Sequence, residues 1–214
     1  MTDSEILSHI DHTLLKATAS WADIAKLCDE ALQWRTASVC IPPCYVKPAR
    51  EESGALTVCT VIGFPLGYSI TAAKALEAER ALLSGAGEID MVINLADVKS
   101  GHLDWVEEEI RILRGVCGKH ILKVIVETCY LTEEEKIRLC EIVTRTEADY
   151  IKTSTGFGSA GAVLEDIKLF KAHIGPNVKI KAAGGIRTRE DMVKYLEAGV
   201  GRIGTSSAAI LAAP

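Results

Sequence analysis

Short apolar segments alternate with longer amphipathic segments along the whole chain. The apolar segments are rich in β-branched residues, which is typical of buried parallel strands. Each of them is followed by a stretch whose apolar residues recur at helical spacing. The predicted strands cover residues 10–15, 37–41, 56–62, 88–94, 121–128, 148–156, 178–182 and 200–204. Strict alternation of strands and helices predicts one parallel sheet in a single domain.

The predicted helices begin at recognisable capping residues. Ser20 immediately precedes a helical pattern over 21–34, and the two prolines at 42–43 end the second strand and start a short helix. Thr132 and Glu135 form a capping box at a helix start that is also rich in acidic residues. The predicted helices cover residues 21–34, 42–50, 71–83, 103–115, 132–146, 163–173 and 189–198, with a closing turn over 206–211.

Eight strand–helix units in 214 residues predict an α/β protein in which residues 1–214 form one closed (β/α)8 TIM barrel. A doubly wound open sheet is the alternative, but it usually has fewer strands and a glycine-rich first crossover. No glycine-rich segment follows the first predicted strand here. The segment 199–204 matches the GxGxxG dinucleotide fingerprint, but it overlaps the last strand and only ten residues follow it. A dinucleotide site is therefore rejected.

Charge and composition exclude several classes of function. The formal net charge is −5, and aromatic residues make up 5% without an accompanying basic patch, which disfavours binding to nucleic acid or an anionic membrane. No apolar run reaches the roughly 18 residues needed to span a bilayer. The acidic, polar start of the chain is unlike a signal peptide. We therefore expect a cytoplasmic protein without membrane or nucleic-acid partners.

The seven cysteines are odd in number and show no CxxC spacing, which argues against a disulfide framework and against a zinc knuckle. Cys40 and Cys44 are not at metal-ligand spacing, and the five histidines form no cluster. No metal site is predicted. We expect most of the cysteines to be small buried side chains in a reducing cytosol.

Lys152 lies in the sixth predicted strand, within a segment that otherwise has the pattern of a buried strand. An unpaired ammonium group is costly in apolar surroundings, so a buried lysine tends to lose its proton and becomes a nucleophile for carbonyl carbons. A lone lysine in a strand more often extends to solvent or pairs with a carboxylate. The hypothesis is that Lys152 forms a Schiff base, with a simple counter-ion role as the alternative.

Lys181 and Asp90 add weight to the Schiff-base hypothesis. Functional residues of a (β/α)8 barrel lie at the carboxyl ends of its strands. Lys152 and Lys181 lie on neighbouring predicted strands, and two nearby ammonium groups repel each other, which lowers the pKa of one of them. We expect Lys181 to stay protonated and Asp90 to transfer a proton. Lys123 and Lys179 are interpreted as structural partners of glutamate side chains.

Glycine and serine residues follow the last three predicted strands. Glycine lets the backbone approach a ligand closely, and N–H groups at a helix start bind anions. The loops after strands seven and eight commonly form a phosphate site in barrels, although such glycines can also simply turn the chain. The predicted phosphate-binding residues are Gly156, Gly184, Gly185, Gly204, Ser206 and Ser207.

Two other functions remain open on these residues alone. A sugar-phosphate isomerase or epimerase would use the same phosphate site but would not need paired strand lysines. A non-catalytic phosphosugar-binding protein would use Lys152 only as a counter-ion.

Seven segments spread along the chain resemble the deoxyribose-phosphate aldolase family of class I aldolases. They are DHTLLK from residue 11, VCIPP from 39, VIGFPLG from 61, EIDMVIN from 88, LKVIVET from 122, IKTSTG from 151 and KAAGGIR from 181. The resemblance implies a TIM barrel that reversibly cleaves 2-deoxy-D-ribose 5-phosphate to D-glyceraldehyde 3-phosphate and acetaldehyde, without a metal or other cofactor. We also expect a homo-oligomer, either a dimer or a tetramer.

The resemblance also implies roles for individual residues. Lys152 would be the Schiff-base lysine, Lys181 the companion lysine that perturbs it, and Asp90 the proton donor and acceptor. Asp11 and Cys40 match positions that line the substrate pocket. The glycines and serines named above match the phosphate-binding loops.

This chain departs from some family members in two places. Gly156 is followed by Phe157, where some members have a lysine near the phosphate. The sequence stops at Pro214, whereas some members have a longer tail that reaches the active site. These departures bear on rate and substrate tolerance and leave the expected reaction unchanged.

Overall fold

Eight parallel strands close into a barrel in the computed structural model, which describes residues 1–212. The strands pair in chain order, and the eighth pairs with the first to complete the ring. Their bounds are β1 (Ile10–Thr13), β2 (Ser38–Ile41), β3 (Val58–Ile62), β4 (Glu88–Val92), β5 (Ile121–Ile125), β6 (Tyr150–Lys152), β7 (Lys179–Ala183) and β8 (Arg202–Thr205). The predicted (β/α)8 barrel is therefore confirmed.

Helices follow the strands and pack around the barrel. They are α1 (Asp3–Leu7), α2 (Trp21–Trp34), α3 (Val46–Ser53), α4 (Thr71–Leu83), α5 (Leu95–Lys99), α6 (Leu103–Cys117), α7 (Glu133–Arg145), α8 (Leu164–His173) and α9 (Arg189–Glu197). Three 3-10 turns cover Pro43–Tyr45, Thr128–Tyr130 and Ala208–Leu211. The predicted bounds of α2 and α4 match the structure at both ends. The two predicted N-cap residues, Ser20 of α2 and Thr132 of α7, form their side-chain hydrogen bonds. Within residues 1–212, none of the helices has the length and apolar character required to cross a bilayer.

Two short helices, α1 and α5, are absent from the sequence prediction. Each has only five residues, which is too few for an apolar period to be recognised. Thr2 and Glu5 form a capping box at the start of α1. Asn94 caps α5 by accepting a hydrogen bond from the backbone N–H of Ala96. Local capping, rather than an amphipathic face, therefore marks both helices.

Four of the eight strands, β1, β4, β5 and β6, end earlier than the apolar pattern predicts. Strand β5 ends at Ile125 although the pattern continues to Thr128, and β6 covers only three residues of the predicted segment 148–156. Glu127 has a φ of 54°, in the left-handed region that is incompatible with a strand. The segment after Lys152 also has no strand geometry and belongs to a loop at the carboxyl end of the barrel.

Charged side chains occupy the centre of the barrel. Strand side chains alternate between the barrel interior and the apolar layer that packs against the helices. Lys123 and Lys181 are fully buried, and so are Asp11 and Asp90. Burial of so many charges is tolerated only when each is paired and hydrogen-bonded. The interior of the barrel therefore holds a buried network of paired charges.

Candidate active site

A cavity of about 230 Å³ opens at the carboxyl ends of β1, β6, β7 and β8. This is the end of the barrel at which function was expected. The predicted site residues that line the cavity are Lys152, Gly156, Gly184, Gly185, Gly204 and Ser206. Ser207 is not on the cavity wall, and its N–H donates a hydrogen bond to the hydroxyl of Thr205 at 3.0 Å.

Lys152 reaches the cavity from β6 and is only 3% exposed. Its Nζ donates to Oδ2 of Asp90 at 2.6 Å. Lys181 is the register partner of Lys152 on β7, and its Nζ donates to the same oxygen at 2.7 Å. The structure therefore brings together the three residues that the sequence singled out for chemistry. It places a carboxylate oxygen within hydrogen-bond distance of both ammonium groups, so repulsion between the lysines is offset by Asp90.

A third lysine belongs to the same network. Lys123 is the register partner of Asp90 on β5, and its Nζ lies 2.8 Å from Oδ1 of Asp90 and 2.5 Å from Oε2 of Glu88. The Sγ of Cys59 donates to Oδ1 of Asp90 at 3.1 Å. The interpretation of Lys123 as a partner of glutamate accounts for only one of its three carboxylate contacts, which are with Asp11, Glu88 and Asp90. Its link to Asp90 becomes visible only when β4 and β5 are placed side by side.

The pKa shifts of this network follow from its pairing. Burial alone would raise the pKa of Asp90, but Lys123, Lys152 and Lys181 outweigh it and hold that pKa well below its usual range. Burial would lower the pKa of Lys181, but attraction by Asp11 and Asp90 outweighs it and raises that pKa above its usual value. At neutral pH Asp90 is therefore a carboxylate and Lys181 an ammonium.

The network has one more cation than it has carboxylates. Its four cations are Lys123, Lys152, Lys181 and Arg202, and its three carboxylates are Asp11, Glu88 and Asp90. Loss of one proton would leave the network neutral. Lys152 is the cation of this set that lines the cavity, and it contacts a single carboxylate of the network, Asp90. Lys152 is therefore the amine of this network that a carbonyl compound in the cavity can reach.

Asp11 and Cys40 lie below the cavity instead of on its wall, which corrects the expectation that they line the pocket. Both are fully buried. The carboxylate of Asp11 binds Lys181, accepts from the Ser38 hydroxyl at 2.7 Å and lies 2.5 Å from a guanidinium nitrogen of Arg202. These cations and the hydroxyl hold Asp11 in the interior, beneath the cavity. Asp11 consequently acts on the site through Lys181.

Glu127 is a residue of this site to which the sequence analysis assigned no role. It follows β5, is 2% exposed, and its Oε1 accepts from the backbone N–H of Thr155 at 3.1 Å. The Thr155 hydroxyl donates to the other carboxylate oxygen of Glu127 and accepts from the N–H of Phe157 at 3.0 Å. Glu127 therefore holds the loop that carries Gly156. A polar residue directly after a buried strand is the only sequence signal that could have indicated it.

Two groups of potential metal ligands lie beneath the cavity: Cys40, Cys59 and Asp90, and Asp11, Cys59 and Glu88. In both groups the carboxylates already bind ammonium or guanidinium groups. A divalent cation would add charge to a network whose cations already outnumber its carboxylates, so these groups are poorly suited to hold one.

A family model described as DeoC/LacD family aldolase matches residues 6–211 of this chain. A deoxyribose-phosphate aldolase from Clostridium botulinum strain Alaska E43 is 61% identical over 97% of this chain and 95% of its own length. One from Clostridioides difficile strain 630 is 57% identical over 94% and 93%.

Solved structures give the same result. An aldolase named QR15 superposes with a TM-score of 0.92 at 41% identity, covering 95% of this chain and 92% of that chain. A tetrameric deoxyribose phosphate aldolase from Aeropyrum pernix superposes with a TM-score of 0.90 at 32% identity, covering 99% and 91%. The resemblance noted in the sequence is confirmed, and the chain belongs to the DeoC/LacD family of aldolases.

Proposed function

We propose that this protein is a deoxyribose-phosphate aldolase, which reversibly cleaves 2-deoxy-D-ribose 5-phosphate to D-glyceraldehyde 3-phosphate and acetaldehyde. Family membership over residues 6–211 and relatives of that name at 61% and 57% identity support the proposal. The observation that carries it is the contact of Asp90 with both Lys152 and Lys181 at the floor of the cavity. A barrel isomerase would have no use for this pair of lysines.

In the cleavage direction, the neutral amine of Lys152 attacks the C1 aldehyde carbon of the open-chain sugar and forms a carbinolamine. Loss of water gives a protonated imine. The C3 hydroxyl then loses its proton and the C2–C3 bond breaks, which releases D-glyceraldehyde 3-phosphate and leaves an enamine on Lys152. Protonation of the enamine carbon and hydrolysis of the resulting imine release acetaldehyde and restore the lysine.

Asp90 is the group proposed to move these protons, because its Oδ2 lies 2.6 Å from Nζ of Lys152. Lys181 donates to the same oxygen and remains an ammonium, so it keeps Asp90 ionised between steps. Asp11 and Arg202 fix Lys181 from below, since Arg202 neutralises the second oxygen of Asp11. The positive surroundings also favour the alkoxide character that develops as the C3 hydroxyl loses its proton.

The phosphate of the substrate is proposed to bind at Gly156, Gly184, Gly185, Gly204 and Ser206, which line the cavity, with Ser207 adjoining them. Gly156, Gly184 and Gly185 have φ values of 86°, 85° and 79°, which favour glycine, and all three line the cavity. Gly204 has another reason to be glycine. A Cβ there would lie 3.2 Å from Cε of Lys181, so the missing side chain leaves room for the lysine.

Reductive trapping tests the covalent step. Incubation with acetaldehyde followed by borohydride should give a protein enlarged by one ethyl group, which peptide mass spectrometry should locate on Lys152. The matched control is Lys179→Arg, which changes an exposed lysine on the neighbouring strand and should leave the adduct in place. An adduct on Lys181, or no adduct in the native protein, would contradict the proposal.

Glu127→Ala is expected to raise KM for deoxyribose 5-phosphate about tenfold, because it removes two hydrogen bonds that hold the loop around Gly156. The kcat value should change less, since Lys152 keeps its own contact with Asp90. Steady-state kinetics measure both. Glu127→Gln retains an acceptor for the Thr155 N–H and should have a smaller effect. Native KM values in both variants would show that the loop does not depend on Glu127.

The cellular setting and assembly also belong to this proposal. We propose that the protein acts in the cytoplasm as a homo-oligomer, a dimer or a tetramer. All seven cysteines are free, as expected in a reducing compartment, and the relative from Aeropyrum pernix is described as tetrameric. Analytical ultracentrifugation measures the assembly, and a monomer at micromolar concentration would contradict the oligomer.

A further inference from the structure

The cavity wall is positively charged although the protein as a whole is acidic. The charged residues that line it are Lys16, Lys152 and Arg187, and no carboxylate is found among its described lining residues. The complete chain has a formal net charge of −5. A cavity with cations alone, in a negatively charged protein, concentrates an anionic ligand at this one place.

Lys16 and Arg187 flank the loop that follows β8. Lys16 follows β1 and Arg187 follows β7, and these two strands are the neighbours of β8 in the barrel. The end of β8 carries Gly204, and the loop that follows it carries Ser206. Two cations therefore stand on either side of the backbone segment to which the phosphate is assigned. Neither belongs to the paired network on the floor of the cavity.

Lys152 is the last residue of β6, and the loop after it contributes no charged side chain to the cavity wall. Phe157 follows Gly156 and is 56% exposed, with its ring packed edge-on against Phe64 at a centroid distance of 5.3 Å. The cation that a phosphate dianion needs must therefore come from another part of the wall.

The Lys16 side chain is exposed and available. Within residues 1–212 it forms no ion pair. Hydrogen bonds from Ser20, and to a lesser extent the charge of Lys16, lower the pKa of Asp23, but the Asp23 carboxylate is held by the backbone N–H and hydroxyl of Ser20. The carbonyl oxygen of Lys16 accepts from the N–H of Ala19 at 3.0 Å, which fixes its backbone beside the cavity.

We propose that Lys16 is a specificity-determining residue that binds the substrate phosphate from the β1 side, together with Arg187 from the β7 side. The inference rests on the proposed function, because it concerns the phosphate end of the same substrate. The loop after β6 presents Phe157 to the cavity, so Lys16 and Arg187 supply the charge that selects a phosphorylated substrate.

The test compares Lys16→Ala with the native enzyme on 2-deoxyribose 5-phosphate and on unphosphorylated 2-deoxyribose. A lost charge-assisted hydrogen bond should raise KM for the phosphorylated sugar, and Ki for inorganic phosphate, about tenfold or more. The kcat for the phosphorylated sugar and the rate of the slow reaction with 2-deoxyribose should both stay within about twofold of the native values. A twofold change is smaller than the loss of a charge-assisted hydrogen bond would cause. Lys26→Ala, whose side chain is 77% exposed on α2, is the matched control and should behave as native enzyme.

A second variant separates charge from structure. Lys16→Ala combined with Phe157→Lys should recover part of the lost affinity for phosphate, because it restores a cation to the cavity wall. An unchanged KM in Lys16→Ala overturns the role of Lys16, and so does an equal loss on the phosphorylated and unphosphorylated sugars. Borohydride trapping of acetaldehyde on Lys152 is run in parallel. If the native enzyme gives no adduct, the proposed function fails, whereas an adduct with unchanged KM in the variant refutes the Lys16 inference alone.

Discussion

Lys152→Arg is expected to lower kcat by at least about 10³-fold and to abolish the borohydride adduct. A guanidinium group is permanently protonated and therefore has no free electron pair to attack a carbonyl carbon. It keeps the positive charge that faces Asp90, so the buried network retains its counter-ion. Turnover of deoxyribose 5-phosphate, coupled to detection of acetaldehyde, measures the loss.

Two further measurements make this result specific. The melting temperature of Lys152→Arg should stay close to that of the native protein, because the ion pair to Asp90 is preserved. Lys179→Arg makes the same chemical change at an exposed position on β7 and should leave kcat unchanged. Turnover of Lys152→Arg within tenfold of native would rule out a covalent role for this lysine.

Asp90→Asn is expected to reduce kcat by roughly 10²- to 10⁴-fold, because it removes the proton acceptor next to Lys152. It should also lower the free energy of unfolding by about 3–5 kcal/mol, since Lys123 and Lys181 would each lose a buried counter-ion. The amide is nearly isosteric with the carboxylate, so both effects come from charge and proton transfer instead of volume. Steady-state kinetics and urea unfolding measure them separately.

Glu109→Gln provides the matched control for a buried carboxylate. Glu109 is 4% exposed and its Oε2 lies 2.8 Å from Nζ of Lys74, in an ion pair between α4 and α6 away from the cavity. This variant should lose stability while kcat per folded molecule is retained. If Asp90→Asn lost stability to the same degree but kept native kcat, Asp90 would be a structural counter-ion and the proton-transfer role would be refuted.

Much of the architecture could be predicted from local signals. The helix over 21–34 was correct at both ends because a capping residue and an apolar period lie within one short segment. Lys152 could be predicted as a functional residue because it is a charged residue within an apolar strand pattern. Short elements such as α1 could not be predicted, because five residues contain no full apolar repeat.

The alternation of strands and helices, read from the sequence by itself, determined the barrel, the place of Lys152 in the sixth strand and the glycines near the ends of the last strands. The tertiary structure alone decided which charges meet. Asp11 and Lys181 are 170 residues apart and touch only because the barrel closes, and Asp90 meets Lys123 only through the pairing of β4 and β5. A side chain's partner in a closed sheet depends on register and on depth inside the barrel, and neither quantity is written in a local pattern.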